Sequence, residues 1–143
     1  MAKLDVSVQV PLDPETTWEK ASDLSQYDKW LSIHDGWRSD LPDDLHEGLE
    51  MSSIVSVKGM RNRVKWTLKK YDPPKSIELK GDGKGGVKIK LKLTVTGKDG
   101  KSDLRIDVDM GGAPLFGPIG SGVARALKGD IKNSLDKFVE LYA

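Results

Sequence analysis

The sequence contains no cysteine. Disulfides, thiolate zinc sites and a cysteine nucleophile are therefore excluded. The lack accords with a reducing, cytoplasmic home. Histidine is scarce too: His34 and His46 are the only two. Without thiolates, a zinc site needs carboxylates gathered from elsewhere, so neither a metal nor a cofactor is expected. No apolar run approaches the ~20 residues of a membrane span. The N-terminus passes straight into an alternating Leu4, Val6, Val8, Val10 pattern, with no signal-peptide apolar block. An excess of either charge is also missing, since 23 Lys and Arg face 22 Asp and Glu. That balance hides an asymmetry. Leu12 to Glu50 holds 11 acidic and 3 basic side chains, and Met51 to Arg105 holds 15 basic and 5 acidic.

What is present fits one domain over residues 1–143, large enough to bury a core without covalent staples. Leu4 to Val10 alternates with period two and reads as a half-buried strand ended by Pro11. Asp13-Pro14-Glu15 starts a helix: a capping aspartate, a proline at the first turn, and an early acid. Ser25 is expected to start a second short helix, with Asp28 as its capping-box partner and Tyr27, Trp30 and Leu31 on one face. Ser32 to Gly48, punctuated by Gly36 and Pro42, reads as loop.

Five strands follow by pattern: Met51–Lys58, whose inward face is unclear, then Arg61–Tyr71, Ser76–Lys80, Val87–Thr96 and Asp103–Met110. Gly81 to Gly86 reads as a hairpin loop, and Lys98-Asp99-Gly100 as a hairpin turn. A glycine-rich apolar stretch, Gly111 to Gly122, leads into a long helix. Its apolar stripe is Ile119, Val123, Leu127, Ile131, Leu135, Phe138 and Tyr142. Consecutive strands joined by tight turns imply an antiparallel sheet. The expected fold is α+β: a curved antiparallel sheet wrapped around the long C-terminal helix, with two short helices after the first strand.

Several motifs reduce to structure. Gly81-x-Gly83-x-x-Gly86 has dinucleotide spacing but precedes a strand, whereas pyrophosphate binding needs a helix N-terminus. Gly100-Lys101-Ser102 lacks the earlier glycine of a phosphate loop, which is Val95 here. Asp40, Asp43, Asp44 and Glu47 lack calcium-loop spacing and read as a solvated acidic loop. Two period-two basic faces, Arg61, Arg63, Lys65 and Lys88, Lys90, Lys92, are either a solvated outer sheet face or a phosphate-binding surface. No aromatic residue alternates with the lysines, so base stacking is not expected.

The element order and local strings resemble the START-like helix-grip (SRPBCC) superfamily, in its polyketide cyclase/dehydrase and lipid-transport branch. The residues carrying this are Pro14-Glu15-Thr16-Thr17-Trp18, Ala21-Ser22-Asp23-Leu24 with Tyr27 and Trp30, Gly48, Asp72-Pro73-Pro74 and the C-terminal amphipathic helix. Ile33-His34, Trp37-Arg38, Val57-Lys58-Gly59-Met60, Gly81-Asp82-Gly83 and Leu115-Phe116-Gly117-Pro118-Ile119-Gly120 are similar to an actinobacterial group. One member of that group is known as the toxin of a type II toxin–antitoxin pair. The resemblance implies binding or transport of a small hydrophobic ligand, such as a lipid, polyketide or aromatic metabolite, in a cavity between sheet and helix. The inward apolar faces, too many for one covering helix, accord with it.

The lining residues expected are Trp37, Met51, Trp66, Ile89, Leu91, Met110, Phe116, Val123 and Leu127, with His34 and Arg38 as polar groups at the mouth. Two alternatives stand beside this. One is a cyclase- or dehydratase-type enzyme, for which no catalytic set is assigned. The other is a toxin-like protein inhibiting translation through its basic sheet face, with an antitoxin or ribosome as partner and no reading of DNA sequence.

Overall fold

A computed structural model describes residues 2–41, 44–57, 60–83, 86–111 and 118–143, without the side chains of 2, 57, 60, 98 and 118–124. Strand β1 (Ala2–Val10) is followed by α1 (Pro14–Ala21), a 3-10 turn (Leu24–Gln26) and α2 (Tyr27–Trp30). Six strands come next: β2 (His34–Trp37), β3 (Glu50–Val57), β4 (Met60–Asp72), β5 (Ser76–Gly83), β6 (Lys88–Lys98) and β7 (Lys101–Gly111). Helix α3 (Pro118–Tyr142) closes the chain. The strands form one antiparallel sheet in the order β1-β7-β6-β5-β4-β3-β2.

Local chemistry accounts for most boundaries. Asp13 caps α1 by accepting from the Thr16 N–H at 3.1 Å, with Pro14 at the first helical position. The second cap differs from the expected one. Asp23, not Ser25, is the cap, and it accepts from both the N–H and the hydroxyl of Ser25. A carboxylate two residues upstream takes both donors, which leaves the serine no capping role. The β6–β7 turn is the expected Asp99-Gly100 pair, with φ of 54° and 76°, as a two-residue hairpin favours.

Two expectations about loops are corrected. The segment read as loop from Ser32 to Gly48 contains β2, which lines up His34 with Val55 and Trp37 with Ser53. A four-residue strand with a register shift carries no period-two signal. The glycine-rich segment after Lys80 remains strand through Gly83. Gly81 is buried between Trp66 and Ile89, and a Cβ there lies 2.5 Å from Val64 and 2.9 Å from the Trp66 ring. This glycine marks a close packing approach rather than a turn.

The core lies between the concave sheet face and α3. Leu127, Ile131, Leu135 and Phe138 of α3 are fully buried, as are Leu68, Ile77, Leu93, Leu104 and Ile106 of the sheet. Helix α3 packs on β1, α2 and β3. Ser134 ties it to the segment after α2: its Oγ accepts from the Ser32 N–H at 2.8 Å and donates to the Asp130 carbonyl at 2.7 Å.

Candidate functional site: the edge cavity on the concave face

At the β2 end of the sheet, ten side chains converge on a cavity of ≈ 20 Å³. Tyr27, Leu31 and Ile33 come from α2 and the segment after it. His34 and Trp37 come from β2, Ser53 and Val55 from β3, Trp66 from β4, Leu79 from β5 and Leu91 from β6. Period-two alternation makes this possible, because the cross-strand register points 51, 53, 55, 64, 66, 79 and 91 to one side. The volume holds about one water.

Aromatic rings build the outer wall. The His34 and Trp37 centroids are 4.7 Å apart, and Tyr27 lies 6.4 Å from each. The Trp37 indole N–H donates to the Leu24 carbonyl at 2.8 Å, which fixes the wall to the 3-10 turn. On the floor, the Trp66 indole N–H donates to Ser53 Oγ at 2.8 Å. Two polar atoms on the wall, Tyr27 Oη and His34 Nε2, are buried without a protein hydrogen-bond partner. Burial pushes the Tyr27 hydroxyl far above its ordinary value, with Asp23 adding to the effect. Burial also pushes the His34 imidazole below its ordinary value, against the opposing pull of Asp28 and Asp35; Arg38 adds slightly to the lowering. Both groups are neutral at pH 7. Among the described residues, the site thus offers an apolar enclosure with two neutral hydrogen-bonding tips and no charged lining residue.

Of the residues expected to line a cavity, His34, Trp37, Trp66 and Leu91 meet here. Met51, Ile89, Met110 and Leu127 are buried in the core but are not on these walls. Arg38 is exposed, and its backbone N–H donates to the Ser52 carbonyl at 2.7 Å. Phe116 lies outside the described residues, and so does the side chain of Val123. Tyr27, Leu31, Ile33, Ser53, Val55 and Leu79 are additional. Ser53 was hidden because Ile54 interrupts the alternation of its strand. Tyr27 carries the clearer signal, an aromatic on the same short-helix face as Trp30 and Leu31.

A larger open groove of ≈ 420 Å³ lies by the 3-10 turn, lined by Ser22, Asp23, Leu24, Ser25, Leu41, Asp44, Leu45 and Tyr71. Its Asp23 is engaged as a cap, and among the described residues it carries no buried orphan donor. Among the described residues, no three His, Asp or Glu side chains come close enough to hold a metal ion.

The six expected basic-face residues do lie on the exposed face, but acids are interspersed among them across the sheet. One row reads Glu50, Thr67, Lys80, Lys90, Asp109, Lys3. The next reads Ser52, Lys65, Asp82, Lys88, and a third Lys70, Glu78, Lys92, Asp107, Asp5. Arg61 bridges Asp35 at 2.9 Å, Lys65 bridges Glu50 at 2.9 Å, and Lys88 bridges Asp82 at 2.8 Å. A lysine stripe along one strand is therefore a mixed-sign surface across the sheet.

Comparison with known proteins places this geometry. The family model for polyketide cyclase / dehydrase and lipid transport matches residues 1–143. The chain belongs to that family. Within it, the chain is 52% identical over 143 residues to Toxin Rv0910 of Mycobacterium tuberculosis, covering 100% of this chain and 99% of that protein. It is 48% identical over 142 residues to the uncharacterized protein Rv1546 of the same organism, covering 99% of each. A START superfamily protein from Mycobacterium smegmatis has the same fold, with a TM-score of 0.78 at 18% identity over 100% of both chains. The helix-grip architecture is thus that of the START-like proteins. Among the described residues, no helix is long and apolar enough to cross a membrane.

Proposed function

We propose that this protein binds a small, largely apolar molecule in the edge cavity, and that the wall built from α2 and β2 moves outward to admit it. The family is one of ligand-handling proteins. The observation that carries the reading is the cavity's composition among the described residues: aromatic and aliphatic walls, no charged lining residue, and two buried polar atoms without protein partners. Pockets for metabolite-sized ligands span roughly 300–1,000 Å³, so uptake has to enlarge the present space. The movable side is β2, a four-residue strand at the sheet edge with a broken register. A lipid, a polyketide and an aromatic metabolite all fit this chemistry.

Native mass spectrometry of freshly purified protein, with organic extraction of anything bound, tests this. A co-purifying apolar molecule is expected, and Leu91→Trp is expected to abolish it while the protein stays folded. A bare-chain mass combined with no uptake of added 2-naphthol or palmitate overturns the reading.

A second reading is favoured by the 52% identical relative named as a toxin: a growth-inhibiting regulator with a cognate antitoxin. Induced expression with growth monitoring tests it. Growth arrest supports it, and unchanged growth counts against it. If arrest occurs through the basic face, replacing Lys88, Lys90 and Lys92 with Gln relieves it. The acids interspersed on that face predict no relief.

A further inference from the structure

Every buried hydrogen-bonding atom calls for a partner, and one left without is costly in an apolar site. Tyr27 is 2% exposed, and its hydroxyl has no protein partner. His34 Nε2 is buried and likewise without one. Both residues line the same cavity, with ring centroids 6.4 Å apart and near-perpendicular planes. The third polar lining group, Ser53, already accepts from Trp66. Among the described residues nothing charged lines the cavity, so a charged ligand group meets no counterion from them and pays an uncompensated desolvation cost.

We infer that Tyr27 Oη and His34 Nε2 together hold one uncharged oxygen, a hydroxyl or carbonyl, of an otherwise apolar ligand. This rests on the reading above and names the ligand's polar end. A ligand hydroxyl accepts from the tyrosine O–H and donates to the imidazole nitrogen. A ligand carbonyl accepts from both when Nε2 carries the proton. The neutrality of both side chains at pH 7 suits either arrangement and disfavours a carboxylate. Selectivity arises because a ligand without such an oxygen leaves both buried groups unpaired in the bound state.

The test compares 2-naphthol, naphthalene and 2-naphthoate by tryptophan quenching against wild type, Tyr27→Phe and His34→Phe. One hydrogen bond is worth roughly 0.5–1.5 kcal/mol, so 2-naphthol is expected to bind wild type about twofold to thirteenfold more tightly than naphthalene. 2-Naphthoate is expected to bind more weakly than either. Both variants should lose the naphthol margin over naphthalene. Tyr27→Phe should also melt no lower than wild type, since it removes an unpaired hydroxyl; a structural role for that hydroxyl predicts a lower Tm instead. Equal affinity of wild type for 2-naphthol and naphthalene, or a margin that survives Tyr27→Phe, overturns the inference and leaves the binding reading intact. Binding of neither probe overturns both. If a variant does not fold, the wild-type margin and the rejection of 2-naphthoate decide alone.

Discussion

The two faces of the sheet meet the same backbone register with opposite chemistry. On the convex face, charges of both signs are interspersed along cross-strand rows, and several pair with one another: Arg61 with Asp35, Lys65 with Glu50, Lys88 with Asp82. Each polar group there also has water available. On the concave face, polar atoms are few, and Tyr27 Oη and His34 Nε2 have no protein partner. A surface that satisfies itself asks nothing of a ligand, whereas a buried surface with unpaired tips does. The proposed ligand site therefore lies on the concave side, at the edge where β2 and α2 form the wall.

The largest effect expected from breaking this contrast is on the core. Phe138 is fully buried and stacks edge-on against Trp30 at 5.1 Å. Phe138→Ala should lose roughly 3–5 kcal/mol in urea unfolding. A loss comparable to that of an outer-face Lys92→Ala, within about 0.5 kcal/mol, would contradict the assignment of faces. Next comes Gly81→Ala. Its new Cβ presses on Val64 and Trp66, so about 1–3 kcal/mol should be lost and the Trp66 emission should shift. Unchanged emission would place the indole elsewhere.

Ser134→Ala sharpens the role of the wall. It removes the acceptor for the Ser32 N–H and should cost about 1–2 kcal/mol. Hydrogen exchange at Ser32 and His34 should speed up relative to the β6–β7 ladder, and equal protection would show the tie to be irrelevant.

His34 gives a pH signature of the same wall. Burial holds its imidazole below the ordinary 6.5. The unfolded chain therefore takes up a proton first as pH falls, and stability declines below pH ~6.5 until the folded protein titrates as well. Stability on this account is complete above that value, and His34→Gln should flatten the slope between pH 7 and 5. The smallest effect belongs to the convex face. Lys65→Ala should cost at most about 1 kcal/mol, because both partners are more than half exposed, and the difference should vanish in high salt.

Much of this contrast was legible in the sequence, for physical reasons that can be named. Val87 to Thr96 and Asp103 to Met110 alternate cleanly, so their inward and outward faces were readable. The α3 stripe from Leu127 to Phe138 was readable in the same way. The β2 edge was not: four residues with a bulge have no period. Ser53 was masked by Ile54 on the opposite face. The charge pattern misled in a different way. Period two along β4 and β6 brings out lysines and arginines, while the acids that offset them sit on β2, β3, β5 and β7, at positions fixed by pairing rather than by sequence neighbourhood. Among the cavity residues, His34, Trp37, Trp66 and Leu91 could be named in advance. Tyr27 emerged only once α2 was placed against β2.

The most direct measurement is a methyl NMR titration with 2-naphthol. The account predicts saturable shifts at the Leu31, Val55, Leu79 and Leu91 methyls, which surround the cavity, and none at Ile54 on the opposite face of β3. Shifts confined to Ile54 or to Leu41 and Leu45 beside the open groove would contradict it.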